Sequence, residues 1–251
     1  MGALHKGHLS LIAASKNKND ITVCSVFINP TQFNNADDLK HYPVAIERDI
    51  EQLISEGCDL LFLPTLEQVY PPGYQPRAYD LGTIENVLEG KYRPGHFQGV
   101  CQVVDRLISV LQPDALYLGQ KDFQQCAVIK KLMALLDKQE DITVDVCPTV
   151  REEDGLAMSS RNLRLTAEQR KSATTIFRVL NYIKENINVH SLERLIADAT
   201  NTLEQNNFVV DYVEIADPET LQSMNELRRP FVILIAATIG NIRLIDNLLV
   251  N

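Results

Sequence analysis

Short apolar runs and amphipathic helical stretches alternate through the first 147 residues, and this alternation is the strongest constraint on the fold. Thr22-Val23-Cys24-Ser25-Val26-Phe27-Ile28 is nearly all apolar and rich in β-branched residues. Such a run suits a strand buried on both faces, as in a parallel sheet. Leu60-Leu61-Phe62-Leu63, ended by Pro64, reads the same way, as do 115–118 and 142–146. Between the strands, residues 44–56 place Ile46, Ile50, Leu53 and Ile54 on one helical stripe, with Gly57 as the stop. Val100, Val103, Val104, Leu107, Ile108 and Leu111 mark a second helix, and 123–136 a third. Strands alternating with helices predict βαβ units and an α/β fold with a Rossmann-like, doubly wound parallel sheet. Such sheets bind ligands at the carboxyl ends of their strands.

The pattern changes near Cys147-Pro148. Two long helical patterns follow, at 167–185 and 192–205, then three short strands at 209–215, 231–237 and 242–245. Helices followed by antiparallel strands predict a small α+β domain with a three-stranded antiparallel sheet. The expected division is 1–147 and 148–251, with the segment to about Asn162 as a hinge and the second domain as a lid.

Lys and Arg number 24 against 33 Asp and Glu, a net charge of −9, which argues against a broad nucleic-acid surface. A local basic pocket for one phosphorylated ligand stays compatible with that charge. Cys24, Cys58, Cys101, Cys126 and Cys147 are odd in number and never form a C-x-x-C pair. Free thiols in a reducing cytoplasm are the expected state. No run is apolar and long enough to cross a bilayer, and no signal peptide is visible.

His5-Lys6-Gly7-His8 carries the first chemical signal. Two imidazoles three residues apart share one face of a helical turn, and Leu9 to Ala14 reads as a helix start. A helix N-terminus offers free N–H groups and partial positive charge to an anion. Gly7 lets a bulky ligand approach the backbone. Other polar clusters fall at expected strand ends: Asn29-Pro30-Thr31-Gln32-Phe33 and the run Gly119-Gln120-Lys121-Asp122-Phe123-Gln124-Gln125. Met158-Ser159-Ser160-Arg161 falls in the hinge. Taken singly, these are an Asn-Pro turn, a helix start and a loop. Together they supply cations, hydroxyls, carboxamides and imidazoles at one sheet edge, an inventory suited to phosphate chemistry.

With these motifs, with Arg93-Pro94-Gly95-His96-Phe97 and with the closing Gly240 to Asn247, the chain resembles the pantothenate synthetase (pantoate–β-alanine ligase) family of the H-x-G-H nucleotidyltransferase superfamily. The resemblance runs over essentially the whole chain. It implies two steps: pantoate attacks ATP to give pantoyl adenylate and pyrophosphate, then β-alanine displaces AMP. It implies His8, His5, Lys121 and Arg161 as catalytic groups, His8 being the better proton donor. The ATP site it implies takes Met1, Gly2, Ala3, Leu4, His5, Gly7, His8, Gly119, Gln120, Lys121, Asp122, Val150, Met158, Ser159, Ser160 and Arg161. Gln32 and Gln125 would hold pantoate. Mg²⁺ is expected on the phosphates, with weak support from Asp49 and Gln52, one helical turn apart. A cytoplasmic homodimer is implied, with Asp37-Asp38 near its contact, although that pair also reads as a solvated acidic loop. The partners are small molecules, with no nucleic acid and no membrane.

Two departures from the family pattern stand out. Arg164-Leu165 replaces the usual Tyr-Leu pair. The family also has a strand and a Pro-Thr turn before its Met-Gly-Ala-Leu-His stretch, so the first domain is expected to lack its first strand. Two other readings stay open at this stage: another H-x-G-H transferase that stops after the first step, or a nucleotide-binding module without turnover.

Overall fold

The computed structural model describes residues 1–33 and 39–251, so Asp37 and Asp38 lie outside the described residues. The chain divides into two compact units. One comprises 1–120 with 124–148, the other 121–123 with 149–251.

The first unit holds two parallel strand pairs. β1 (Val23–Ser25) pairs with β2 (Leu60–Phe62), Cys24 facing Leu61. β3 (Ala115–Gly119) pairs with β4 (Thr143–Cys147), Tyr117 facing Asp145. Both pairs have the parallel order expected from sequence, as two separate sheets among the described residues. Met1 runs beside β1: its amino group donates to Ser25 O at 2.8 Å, and Phe27 N donates to Met1 O at 3.2 Å.

Helix α1 (Lys6–Lys16) begins three residues before the expected start and packs on β3 and β4. Helix α2 (Ile46–Ser55) ends as expected at Gly57, whose φ of +70° lets Cys58 N reach Leu53 O at 3.0 Å. Its apolar stripe differs from expectation. Leu53 is buried, but Ile50 and Ile54 are exposed, and Asp49 takes a buried place instead. Two short helices follow, α3 (Leu66–Val69) and α4 (Leu88–Tyr92). Helices α5 (His96–Leu111) and α6 (Phe123–Leu135) then bring Phe97, Val100, Ile129 and Leu132 into one core. A smaller core joins Leu4, Ile12, Cys24, Val26 and Leu53.

In the second unit, the helix expected over 167–185 is two helices, α7 (Ala167–Ala173) and α8 (Thr175–Asn186), separated at Thr174. The Thr174 hydroxyl donates back to Lys171 O at 2.8 Å, a local bond that competes with regular helix. Helix α9 (Leu192–Gln205) follows. Strands β5 (Phe208–Ala216), β6 (Phe231–Ile239) and β7 (Ile242–Val250) form the expected antiparallel sheet in the order β5-β6-β7. All three are longer than their sequence patterns: β5 by one residue at each end, β6 by two at its far end, and β7 most, because the polar Asp246 and Asn247 continue the ladder. Ile176, Leu180, Ile183, Leu195 and Leu203 pack with the sheet's apolar residues into the largest core. Each such side chain contributes about 1.5–3 kcal/mol on full burial.

Candidate functional site

The first unit sets its histidines at a helix start. His5 is the N-cap of α1, in extended conformation, and its Nδ1 accepts the Gly7 N–H at 3.1 Å. A neutral His5 ring therefore carries its proton on Nε2. The His5 and His8 rings lie with centroids 4.0 Å apart and planes tilted by 33°. The Gly7 N–H is taken by His5 Nδ1 and the His8 N–H by His5 O at 2.7 Å, so the two imidazoles and the positive end of the α1 dipole are what this helix start offers a polyanion.

The backbone entering that patch is held from below. Ala3 has a φ of +46°, unusual for a residue with a Cβ. Its N–H and that of Leu4 donate to the two carboxylate oxygens of Asp49 at 2.9 and 2.7 Å. Asp49 is 1% exposed. This geometry makes Asp49 a brace for the Gly2-Ala3-Leu4 turn and does not fit a direct Mg²⁺ ligand. Gln52, one turn on, keeps a buried Oε1 without a hydrogen-bond partner. Among the described residues no group of three or more His, Cys, Asp or Glu could hold a metal ion.

Gln32 closes a 3₁₀ turn over Pro30–Gln32. Asn29 caps it, with Oδ1 accepting from Thr31 N, while its Nδ2 donates to Gly99 O at 3.1 Å. The Tyr70 hydroxyl donates to the same Asn29 Oδ1 at 3.1 Å. His96 Nδ1 lies 2.8 Å from Gln32 O, and Arg93 Nη2 reaches that oxygen at 3.5 Å. His96 and Arg93 thus hold the Gln32 backbone, a role that sequence reasoning left undefined. Gly99 makes the close approach possible: a Cβ there would stand 2.4 Å from Thr31 O. Gln125 is half-buried on α6. Its neighbour Gln124 is 3% exposed, donates to Ile84 O and Val87 O, and accepts the Glu89 N–H at 2.9 Å. Glu89 in turn pairs with Arg93 at 3.4 Å. Gly119, at the carboxyl end of β3, has open space where a Cβ would be.

The second unit carries the other predicted cations. Lys121 lies in the 3₁₀ turn Gln120–Asp122, with its ammonium 3.7 Å from Asp122 Oδ1. Val150 and Met158 face each other across a hairpin, with Met158 N donating to Val150 O at 3.0 Å. Ser159 then caps the turn Ser160–Arg164, its Oγ accepting the Arg161 N–H at 3.3 Å. Ser160 is buried. Sequence reasoning missed the support of this turn. Arg151 forks onto both carboxylate oxygens of Asp246 and also donates to Gly155 O at 3.1 Å. Burial pushes the Asp246 carboxyl up, and Arg151 opposes that push. The Asp246 and Asn247 pair was visible in the closing motif, but no sequence signal linked it to Arg151.

A parallel α/β unit with paired imidazoles on a helix start, and a second unit bearing Lys121 and the Ser159-Ser160-Arg161 turn, supply a donor set suited to the phosphates of a nucleotide. The sequence matches the Pantoate-beta-alanine ligase family over residues 1–249, and the chain belongs to that family. It is 44% identical over 253 residues to a pantothenate synthetase of Aliivibrio fischeri, covering 100% of this chain and 86% of that protein. It is 42% identical to one of Acetivibrio thermocellus, covering 100% of this chain and 89% of that one. The crystal structure of pantothenate synthetase from Thermus thermophilus superposes with a TM-score of 0.94 at 40% identity, covering 99% of this chain and 90% of that one. A pantoate-beta-alanine ligase from Francisella tularensis, complexed with beta-gamma ATP and beta-alanine, superposes at 0.83 and 39% identity, covering 99% and 87%. No helix among the described residues is long and apolar enough to cross a membrane.

Proposed function

We propose that this enzyme joins pantoate to β-alanine through a pantoyl-adenylate intermediate, releasing pyrophosphate and then AMP. In the first step a pantoate carboxylate oxygen forms a bond to the α-phosphorus of ATP, and the bond to the β-phosphate bridging oxygen breaks. In the second step the β-alanine amine attacks the acyl carbon, the acyl–oxygen bond to AMP breaks, and the amine loses a proton. No enzyme nucleophile is needed.

The demands of the first step assign the residues. A carboxylate approaching a polyanion needs positive charge and donors to offset repulsion and stabilise the leaving group. In the first unit His5, His8 and the start of α1 meet that demand, with Met1 to Leu4 and Gly7 along the nucleotide. His8 supplies the proton to departing pyrophosphate. Gln32 and Gln125 bind the carboxylate and hydroxyls of pantoate, since a carboxamide both donates and accepts. Gly119 and Gln120 give the adenosine room. In the second unit Lys121, Ser159, Ser160 and Arg161 stabilise phosphate charge, Asp122 binds ribose, and Val150 and Met158 flank the base. We assign residues 1–147 to ATP and pantoate binding and 148–251 to the role of a lid. Mg²⁺ enters on the ATP phosphates. The protein acts in the cytoplasm as a homodimer.

The observation that carries this reading is the close His5–His8 pair at the start of α1, 4.0 Å between ring centroids. A turnover assay with ATP and pantoate, with β-alanine withheld and then added, tests it. Pyrophosphate release without β-alanine and AMP release only with it are expected.

A further inference from the structure

Asn247 is 2% exposed in the middle of β7, and the reaction chemistry assigns it nothing. Its side-chain Nδ2 donates to the backbone carbonyl of Lys121 at 2.9 Å, across a sequence separation of 126 residues. The Asn247 backbone is itself gripped on both sides. Its N–H donates to Asp246 Oδ1 at 2.8 Å, and its carbonyl accepts from Arg151 Nη2 at 3.2 Å. Arg151 completes the frame by forking onto Asp246 and by lying 4.4 Å above the Phe177 ring. It also bridges to Ala157, just before the Ser159 turn.

We propose that Asn247 is a positioning residue for the Lys121 ammonium, and that the Arg151–Asp246 pair fixes Asn247 for that purpose. The proposal rests on Lys121 being a phosphate-stabilising cation, as assigned above. The physical logic is direct. Lys121 sits in a short 3₁₀ turn, where few backbone bonds define the direction of its side chain. A buried amide donor on its carbonyl fixes the peptide plane, and hence the direction in which the side chain leaves the backbone. A regular strand supplies that donor from a rigid place. The same Arg151–Asp246 pair reaches the hairpin that leads into Ser159, so two phosphate-handling turns hang on one buried frame. A group misplaced by about 1 Å can cost on the order of 10²-fold in rate.

A double-mutant cycle tests this through the rate of pyrophosphate release from ATP and pantoate. Four full-length proteins are compared: the parent, Asn247→Ala, Lys121→Ala and the double variant. Asn247→Ala is expected to slow adenylate formation about tenfold or more in the parent, by displacement of Lys121. In the Lys121→Ala background the same change should cost less than about twofold, because the side chain it positions is gone. An equal loss in both backgrounds would overturn the proposal and make Asn247 a general packing residue. A parent-like rate in Asn247→Ala would overturn it as well. A parent-like rate in Lys121→Ala would overturn the assignment of Lys121 itself, and the proposal with it. Asn247→Leu, close in volume and lacking the donor, replaces Asn247→Ala in the cycle if the alanine variant does not fold.

Discussion

His96 Nδ1 stands 2.8 Å from the carbonyl oxygen of Gln32, and His96 is 6% exposed. The imidazole does not face solvent as a loose loop residue would. It fixes the turn that presents the Gln32 carboxamide. Replacing His96 by Leu removes this partner and leaves the part-buried carbonyl with only the long Arg93 contact, at up to about 1–3 kcal/mol. KM for pantoate should rise roughly tenfold, with a much smaller change for ATP. Titrations of initial rate against each substrate measure the split, and an equal rise for both substrates would contradict this role.

Gly99 offers an independent test of the same turn. An added Cβ would meet Thr31 O at 2.4 Å and Gln32 N at 2.9 Å, both backbone atoms that cannot step aside alone. Gly99→Ala should therefore shift the Pro30–Gln32 turn and weaken pantoate binding by roughly tenfold or more, in line with an overpacking strain of about 1–3 kcal/mol. Calorimetric titration of pantoate into the ATP-analogue complex reads it. Unchanged pantoate affinity would show that the turn moves freely.

Asp49 braces the turn before His5 through two buried N–H groups. Asp49→Ala leaves both without an acceptor, and each orphaned group costs about 1–3 kcal/mol. Asp49→Asn keeps one acceptor oxygen and should lose less. Denaturant midpoints and turnover should fall in the order parent, Asn, Ala. If Asp49 acted mainly as a metal ligand, the Asn variant would regain its rate at high Mg²⁺ with unchanged stability.

Lys121→Ala and His8→Ala should each slow adenylate formation by roughly two or more orders of magnitude, as for loss of one transition-state donor. Neither belongs to an apolar core cluster, so melting temperatures should stay near the parent value. Unchanged turnover in either variant would remove that residue from the phosphate site.

Burial pushes the Cys24 thiol up to about 11 and the Cys101 thiol up to about 12. Both hold their protons more tightly folded than unfolded, where a thiol titrates at about 8.5. Their stabilisation is therefore full below about pH 8.5 and is lost as pH rises toward the folded values. For Cys24, raised from about 8.5 to about 11, this amounts to roughly 3 kcal/mol. The parent's melting temperature should fall steeply between about pH 8.5 and 11. The Cys24→Ala, Cys101→Ala variant, less stable at neutral pH, should fall more gently. Parallel curves would contradict burial of the neutral thiols.

Much of the fold was legible because its signals are local. The β-branched run at 22–28 reads as a strand from its own side chains, although only Val23–Ser25 joins the ladder and Val23 is exposed rather than buried. Gly57 stops α2 because its φ of +70° suits a residue without a Cβ. The errors fall where distant residues decide. Ile50 and Ile54 fit an apolar stripe, yet the buried place belongs to Asp49, whose partners Ala3 and Leu4 are 46 and 45 residues away. Periodicity cannot register a buried carboxylate that two distant amides satisfy. The break at Thr174 carries no Gly or Pro. For the site, motif order singled out the groups to which the proposed reaction is assigned. The frame behind them stayed hidden, because Arg151 and Asp246 are 95 residues apart and each looks like an ordinary surface charge.

The central claim is that catalysis proceeds in two separable steps, and order-of-addition product analysis tests it most directly. The enzyme is incubated with ATP, Mg²⁺ and pantoate, pyrophosphate is followed, and β-alanine is added while AMP and the amide product are measured. The account predicts pyrophosphate release before β-alanine is present, with AMP and amide appearing together only after its addition. AMP appearing at the same rate without β-alanine, or no pyrophosphate until β-alanine is added, would contradict it.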